Sequence, residues 1–120
     1  MARKVGAKVV LVTCGSRAEA RKIAHSVVAS RLAACVNVVS APVESVYRWQ
    51  GRVESAKEFL LLVKTTLARL PTLEKEIVRL HGYEVPEFLV LDADGGSGEY
   101  LRWLAESVQD GKKRLRTQKR

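Results

Sequence analysis

The chain has 120 residues and a mass of 13.3 kDa, which is about the size of one domain. Hydrophobic residues make up 47% of it and charged residues 28%, with 3 prolines and 8 glycines, a composition that excludes disorder, a collagen repeat and a disulfide scaffold. No apolar run approaches the roughly 20 residues of a membrane span, and the first residues lack the apolar run of a secretory signal. We therefore expect a cytoplasmic protein with no membrane segment.

The formal charge of +8 is concentrated at the two ends of the chain. Residues 9–109 contain 12 basic and 12 acidic side chains, whereas residues 111–120 contain six basic side chains and no acidic one. A basic tail without interleaved aromatic residues is more typical of a solvated end than of a dedicated nucleic-acid arm. We therefore expect a domain over residues 1–110, followed by a disordered tail that binds nucleic acid only weakly.

The sequence begins with the pattern of a strand followed by a helix. Residues 8–13 are a β-branched run (KVVLVT) that predicts a buried strand. Ser16 followed by Glu19 is a capping box, and apolar residues then repeat at helical spacing as far as Leu32. This spacing predicts a helix of about four turns.

A long hairpin is predicted for the middle of the chain. Residues 35–47 are strand-like, Gln50-Gly51 is a turn signal, and residues 53–65 are strand-like again. If both arms are continuous, each has about 15 residues and spans about 50 Å, against a radius of gyration of about 14 Å for a globule of this length. Further copies of the chain would cover such an overhanging apolar hairpin most simply, so we expect a closed homo-oligomer.

Pro42 leaves a second interpretation of the hairpin open. Proline cannot donate to a strand ladder, so it marks a bulge, a bend or a break. In this alternative the hairpin is broken at Pro42 into a short strand and a loop, and it does not extend beyond its own domain.

The rest of the chain supplies two more helices and a strand. Pro71 is placed like the first residue of a helix over residues 70–80 that ends near Gly82. Residues 88–91 are strand-like, and residues 101–108 have helical spacing. The order β-α-β-β-α-β plus a C-terminal helix predicts an α+β, ferredoxin-like fold, with both crossover helices on one face of an antiparallel sheet.

Five separate motifs occupy residues 32–37 (LAACVN), 45–51 (SVYRWQG), 58–65 (EFLLLVKT), 81–87 (HGYEVPE) and 100–104 (YLRWL). Taken in this order, they closely resemble the CutA divalent-cation tolerance proteins, and the resemblance covers residues 9–108. It implies a ferredoxin-like fold and a homotrimer joined by strand pairing between subunits. It also implies binding of copper and other divalent ions rather than a reaction, and a general likeness to the trimeric PII signalling proteins.

The sequence departs from the family pattern at positions linked to copper. Val12 and Leu80 stand where copper-binding bacterial members carry a cysteine and a second histidine, so His81 is what remains of that set. Gly82 replaces the usual proline of its motif, and Asp92 stands where a proline is common. The resemblance therefore implies the scaffold but not a complete copper site.

His81 and Cys14 are the candidate metal ligands. His81 opens a segment that contains carboxylates, so an imidazole and carboxylates can share a small volume; the alternative is a histidine that caps the carbonyls of its own helix. Cys14 lies next to a loop, and we expect its thiol to be the more accessible one and to meet soft ions such as Cu(I). Cys35 is expected to be a small hydrophobe, and without CxxC spacing the cysteines indicate neither a structural zinc site nor a disulfide.

A different class of function is also open. Lys64, Tyr83 and Glu84 are predicted to line a cleft between subunits that takes up a small anion or presents a partner surface, as in a PII-like sensor. Tyr47 and Trp49 share one strand face near the hairpin tip. They are predicted to lie in the trimer interface, and the alternative for them is a ligand platform.

The sequence contains no nucleophile with a base at recognisable spacing, so we expect no catalytic residues and no enzymatic activity. The leading prediction is a non-enzymatic homotrimer with no tightly bound cofactor. It binds copper or another divalent cation and contributes to metal tolerance, and the ligand sensor is the alternative.

Overall fold

An antiparallel sheet with helices packed on it forms residues 6–109, which are the residues described by a computed structural model. The basic tail predicted for residues 111–120 lies outside them. In chain order the elements are β1 (Ala7–Cys14), α1 (Arg17–Ala29), β2 (Cys35–Val38), β3 (Val43–Trp49), β4 (Arg52–Thr66), a short 3-10 turn (Leu67–Arg69), α2 (Leu70–Leu80), β5 (Leu89–Asp92) and α3 (Gly98–Ser107). None of these helices is long and apolar enough to cross a membrane.

The strands β1 and β4 form the centre of the sheet. The strand order is β2-β4-β1-β5, with β3 paired to β4, and every pair is antiparallel. β1 is matched to β4 along its whole length, from Ala7 opposite Thr66 to Cys14 opposite Phe59. The prediction of a mixed fold with one antiparallel sheet and three helices is confirmed, with the last strand shifted by one residue to Leu89–Asp92.

The single strand predicted for the first arm of the hairpin is wrong, because the chain leaves the ladder around Pro42. β2 ends with Val38 opposite Leu61, and β3 begins with Val43 opposite Glu58. From Val38 to Val43 the first arm advances by five residues, whereas the matching stretch of β4, from Leu61 to Glu58, advances by three residues. The first arm therefore has an excess of two residues, which lies beside a proline that cannot donate to the ladder. The alternative of a loop after Pro42 is also wrong, since β3 pairs with β4 along all of its 7 residues.

The second arm of the hairpin has the predicted length. β4 runs without interruption for 15 residues, which is about 50 Å at 3.3 Å per residue, and the longest dimension of the molecule is 49 Å. Gln50 and Gly51 form the predicted turn with φ of 50° and 81°, the left-handed pair of a two-residue hairpin in which glycine is favoured. The hairpin tip therefore extends beyond the body of the domain.

Helices α1 and α2 pack on the same face of the sheet. α1 begins with the predicted capping box, in which the Ser16 hydroxyl accepts from the Glu19 N–H at 3.1 Å and the Glu19 carboxylate accepts from the Gly15 N–H at 3.3 Å. The main core cluster combines apolar residues of both helices with alternate residues of β1 and β4. Its largest fully buried members are Ile23, Val27, Leu73, Ile77, Val10, Val12, Leu61 and Val63.

The opposite face of the sheet carries apolar side chains that the rest of the chain leaves partly uncovered. By strand alternation these are Val9, Leu11, Leu60, Leu62, Leu89 and Leu91, and we call them the open face. Leu89 and Leu91 are 54% and 44% exposed. α3 packs near one end of the sheet, where Leu104 and Val108 join a second small cluster with Ala7.

Ile77 provides a test of how α2 is packed. Its side chain is fully buried, whereas the next residue, Val78, is 48% exposed. We expect Ile77→Ala to lower the free energy of unfolding by about 2–5 kcal/mol because it leaves a cavity, and Val78→Ala to change it by less than about 0.5 kcal/mol. Chemical denaturation of both variants at one protein concentration measures the difference, and equal losses would contradict this placement of the helix.

Candidate functional site

The segment of residues 81–87, between α2 and β5, lies against the ends of β1 and α1. α2 ends at His81, whose backbone is extended with φ of −82° and ψ of 144°. Further along, the Tyr83 hydroxyl donates to Glu58 Oε2 on β4 at 2.7 Å. Burial and the nearby Glu58 carboxylate raise the pKa of the Tyr83 phenol well above its usual range, so the hydroxyl remains a donor at neutral pH.

The His81 imidazole is buried and uses both ring nitrogens. Nδ1 accepts from the Tyr83 backbone N–H at 3.1 Å, and Nε2 lies 2.8 Å from the Thr13 carbonyl oxygen. Because Nδ1 accepts, Nε2 carries the proton and donates, which defines the neutral tautomer. The imidazole therefore ties the 81–87 segment to β1 and does not bond to the carbonyls of its own helix.

Glu19 of α1 is held against the same segment. Its Oε2 accepts from the Gly82 N–H at 2.6 Å and lies 3.8 Å from His81 Nδ1. A Cβ on residue 82 would lie 3.0 Å from this oxygen, and a proline there would have no N–H to donate. Glycine at position 82 therefore allows this hydrogen bond without any shift of the Glu19 side chain.

The Cys14 thiol completes a group of three donor atoms. One ligand atom from each of Cys14, Glu19 and His81 lies within 4.8 Å of the others, and residues 6–109 contain no second group of this kind. The structure thus brings together the two residues predicted as metal ligands. It adds Glu19, which the sequence had indicated only as a member of a capping box.

The prediction that Cys14 has the more accessible thiol is wrong. Cys14 is fully buried, and Cys35, which was expected to be the buried hydrophobe, is partly exposed. Burial and then the carboxylates of Glu19 and Glu58 raise the pKa of the Cys14 thiol to about 12. The thiol is therefore protonated at neutral pH.

The donor set of the group suits a borderline or soft cation. A thiol sulfur, an imidazole nitrogen and a carboxylate oxygen together favour Zn²⁺ or Cu²⁺ over the oxygen-preferring Mg²⁺ and Ca²⁺. Binding requires Cys14 to lose its proton and His81 Nδ1 to exchange the Tyr83 N–H for the metal. Both changes would lower the affinity of these three residues for a cation.

A cleft of about 630 Å³ lies beside this group, between β3 and the 81–87 segment. Its lining is Tyr47, Trp49, Tyr83, Glu58, Glu84, Glu87, Thr13, Ser45, Val46, Val85 and Pro86. Tyr47 and Trp49 are 44% and 40% exposed. Their predicted place in a trimer interface concerns contacts between chains and stays a prediction.

Lys64 does not line this cleft within one chain. It pairs with Cys35 across the ladder, and its ammonium group contacts Asn37 Oδ1. Of the three residues predicted to line a ligand cleft, Tyr83 and Glu84 therefore lie together, and Lys64 lies elsewhere. His25, on the polar side of α1, is exposed.

The chain matches a known protein family along most of its described length. The model of the CutA1 divalent ion tolerance proteins matches residues 8–107. The chain therefore belongs to the CutA1 divalent ion tolerance family, whose description names tolerance of divalent ions and no reaction.

Individual relatives extend this match. A divalent-cation tolerance protein CutA of Thermus thermophilus is 49% identical over 101 residues, which are 84% of this chain and 97% of that protein. A chloroplastic protein CutA of Arabidopsis thaliana is 44% identical over 102 residues, which are 85% of this chain and 56% of that longer protein.

Solved structures of family members have the same fold. The Thermus thermophilus Cut A1 structure superposes with a TM-score of 0.83 at 48% identity and covers 86% of this chain and 99% of its own. The CutA1 structure from Oryza sativa superposes with a TM-score of 0.84 at 38% identity and covers 89% of this chain and 97% of its own.

We expect Cys14 to react with iodoacetamide only when the protein unfolds. A pKa of about 12 instead of 9.0 lowers the thiolate fraction at pH 8 about 1000-fold, and burial restricts access further. Mass spectrometry of the Cys35→Ser variant, which retains Cys14, would follow labelling in buffer and in denaturant. Labelling in buffer at the rate seen in denaturant would contradict the buried position of this thiol.

Proposed function

We propose that the protein contributes to tolerance of divalent cations by binding a borderline or soft cation at Cys14, Glu19 and His81, without catalysing a reaction. The observation that carries the proposal is the approach of three different donor atoms to within 4.8 Å of one another. The family description supports it, since it refers to divalent ions.

Copper is the ion that this site is proposed to favour. Among divalent first-row metals, Cu²⁺ has the highest intrinsic affinity for nitrogen, oxygen and sulfur donors. Val12 and Leu80 contribute no donor atoms, and the Cys14 thiol has to be deprotonated first. We therefore propose a binding constant weaker than that of relatives with a cysteine and a second histidine at those positions.

Titration with Zn(II), which does not oxidise thiols, tests the site. We expect one weak site by calorimetry. Cys14→Ala and Glu19→Gln should each lower the affinity at least about 10-fold, because each removes a ligand and the loss of an outer-shell partner alone typically costs about 10–100-fold. The amide introduced by Glu19→Gln would still accept from the Gly82 N–H, and His81 is kept because it ties the segment to β1. Glu74→Gln, at an exposed carboxylate on α2, is the matched control and should leave the affinity unchanged.

The pH dependence of the same titration identifies the thiolate. One proton leaves Cys14, whose pKa of about 12 lies far above the working range. The apparent association constant should therefore rise about tenfold per pH unit between pH 6 and pH 8. In Cys14→Ala the part of this pH dependence that comes from the thiol should disappear. Equal Zn(II) affinities in the wild type, Cys14→Ala and Glu19→Gln would exclude the site.

We also propose that the fold is ferredoxin-like and that the protein is a homotrimer. The strand order β2-β4-β1-β5 is the one that two interleaved halves, β1-α1-β2 and β4-α2-β5, produce. The open face leaves apolar side chains in contact with water, and among residues 6–109 β3 is paired on one edge only. Further copies of the chain can cover both features.

Leu91 on the open face provides the test of this assembly. We expect sedimentation equilibrium at micromolar concentration to give a trimer for the wild type. Leu91→Lys should dissociate it, because a buried interface does not accommodate an unpaired ammonium group. Val78→Lys, which changes an equally exposed valine on α2, should remain trimeric. A monomeric wild-type protein would overturn the proposal.

A further inference from the structure

The cleft between β3 and the 81–87 segment is acidic and aromatic. Three carboxylates line it, from Glu58, Glu84 and Glu87, and its lining includes no lysine, arginine or histidine. A small anion would therefore meet like charge and no compensating cation among these lining residues. The composition of the cleft favours a positively charged ligand.

Glu58 is the residue of the cleft that most needs a cation. It is 7% exposed, yet it forms no ion pair with any residue between 6 and 109. Its hydrogen bond comes from the neutral Tyr83 hydroxyl at Oε2, and Oε1 accepts no hydrogen bond from the described residues. Among the described residues no buried side-chain oxygen lacks a hydrogen-bond partner, so Oε1 is the solvent-accessible oxygen of Glu58. A ligand cation in the cleft can therefore pair with this carboxylate through Oε1.

Three aromatic side chains make the cleft suitable for an organic cation in particular. Tyr47, Trp49 and Tyr83 line it and are 44%, 40% and 39% exposed, so ring surface is available to a ligand. Aromatic faces attract ammonium groups and also pack against their methyl groups. A metal ion would gain little from these rings and would occupy little of a cleft of about 630 Å³, which is in the size range of small-molecule sites.

We propose that this cleft binds a small organic cation, namely a substituted ammonium group with a short apolar body. Glu58 provides the counter-charge, and Tyr47 and Trp49 provide the ring surface. The site differs from the metal group of Cys14, Glu19 and His81, so the proposal goes beyond the function proposed above. Glu58 and Leu60 lie on the same side of β4, so the cleft borders the open face and lies close to the proposed subunit contact.

Choline and its uncharged isostere 3,3-dimethylbutan-1-ol are the probes that test this inference. Calorimetry on the wild-type protein measures both affinities. Tryptophan fluorescence of Trp103→Phe, which retains Trp49 as the one tryptophan, reports whether binding occurs at the cleft. We expect saturable choline binding with a change in Trp49 emission, and binding of the alcohol at least about tenfold weaker because it lacks the charge.

Two variants and a control assign the binding to named groups. Glu58→Gln should weaken choline binding at least about tenfold because it removes the buried charge, and Trp49→Leu should weaken it because it removes a ring. Glu74→Gln, outside the cleft, should leave it unchanged. Circular dichroism checks that each variant is folded. Glu58→Gln removes a carboxylate that raises the pKa of Cys14, so Zn(II) binding should not weaken in this variant, and loss of choline binding alone distinguishes failure of this site from failure of the metal site.

The inference is overturned by any of three results. The first is equal binding of choline and the alcohol, and the second is choline binding that Glu58→Gln leaves unchanged. The third is the absence of saturable choline binding to the native protein, which would mean that a neighbouring subunit fills the cleft. Tighter binding of inorganic phosphate than of choline would support the anion sensor instead.

Discussion

The pairing register of β4 is the constraint on which the other parts of the molecule depend. β4 pairs with β1, β2 and β3, and its successive side chains lie on opposite faces of the sheet. Leu61 and Val63 enter the core beneath the helices, whereas Leu60 and Leu62 belong to the open face, and Glu58 continues that face into the cleft. A slip of one residue would exchange the two sets and place a carboxylate in the core.

The 81–87 segment connects the two proposed sites through one residue. The backbone N–H of Tyr83 donates to His81 Nδ1, and its hydroxyl donates to Glu58 Oε2. A metal at Nδ1 would compete with the first hydrogen bond, and a cation in the cleft would interact with the carboxylate that accepts the second. Binding at either proposed site would therefore act on Tyr83, which takes part in the other.

Features of the fold that depend on neighbouring residues could be predicted from the sequence. The capping box of Ser16 and Glu19, the proline in the first turn of α2 and the Gln50-Gly51 turn are all present. Pro42 indicated an interruption of the first arm at the correct place, but its size could not be predicted, because the excess of two residues is defined only by the pairing with β4.

The candidate site was less predictable because its members come from distant parts of the chain. Glu19 and Gly82 are 63 residues apart, and no local pattern indicates that they meet. Cys14 was expected to be exposed because a loop follows it, but its side chain lies on the core side of β1 with Val10 and Val12. The family motif drew attention to His81, whereas the contact of its imidazole with Thr13 depends on the docking of the whole segment.

The residues around Pro42 are where this region of the chain can change in length. The pairing of β3 with β4 is set by the two-residue turn at Gln50-Gly51, and β2 has its own pairing with β4. Inserting or deleting a residue between β2 and β3 would therefore change the unpaired stretch beside Pro42 and leave Tyr47 and Trp49 facing the cleft. A residue inserted into the turn itself would instead shift β3 along β4, so the cleft should tolerate length variation at Pro42 and not at the hairpin tip.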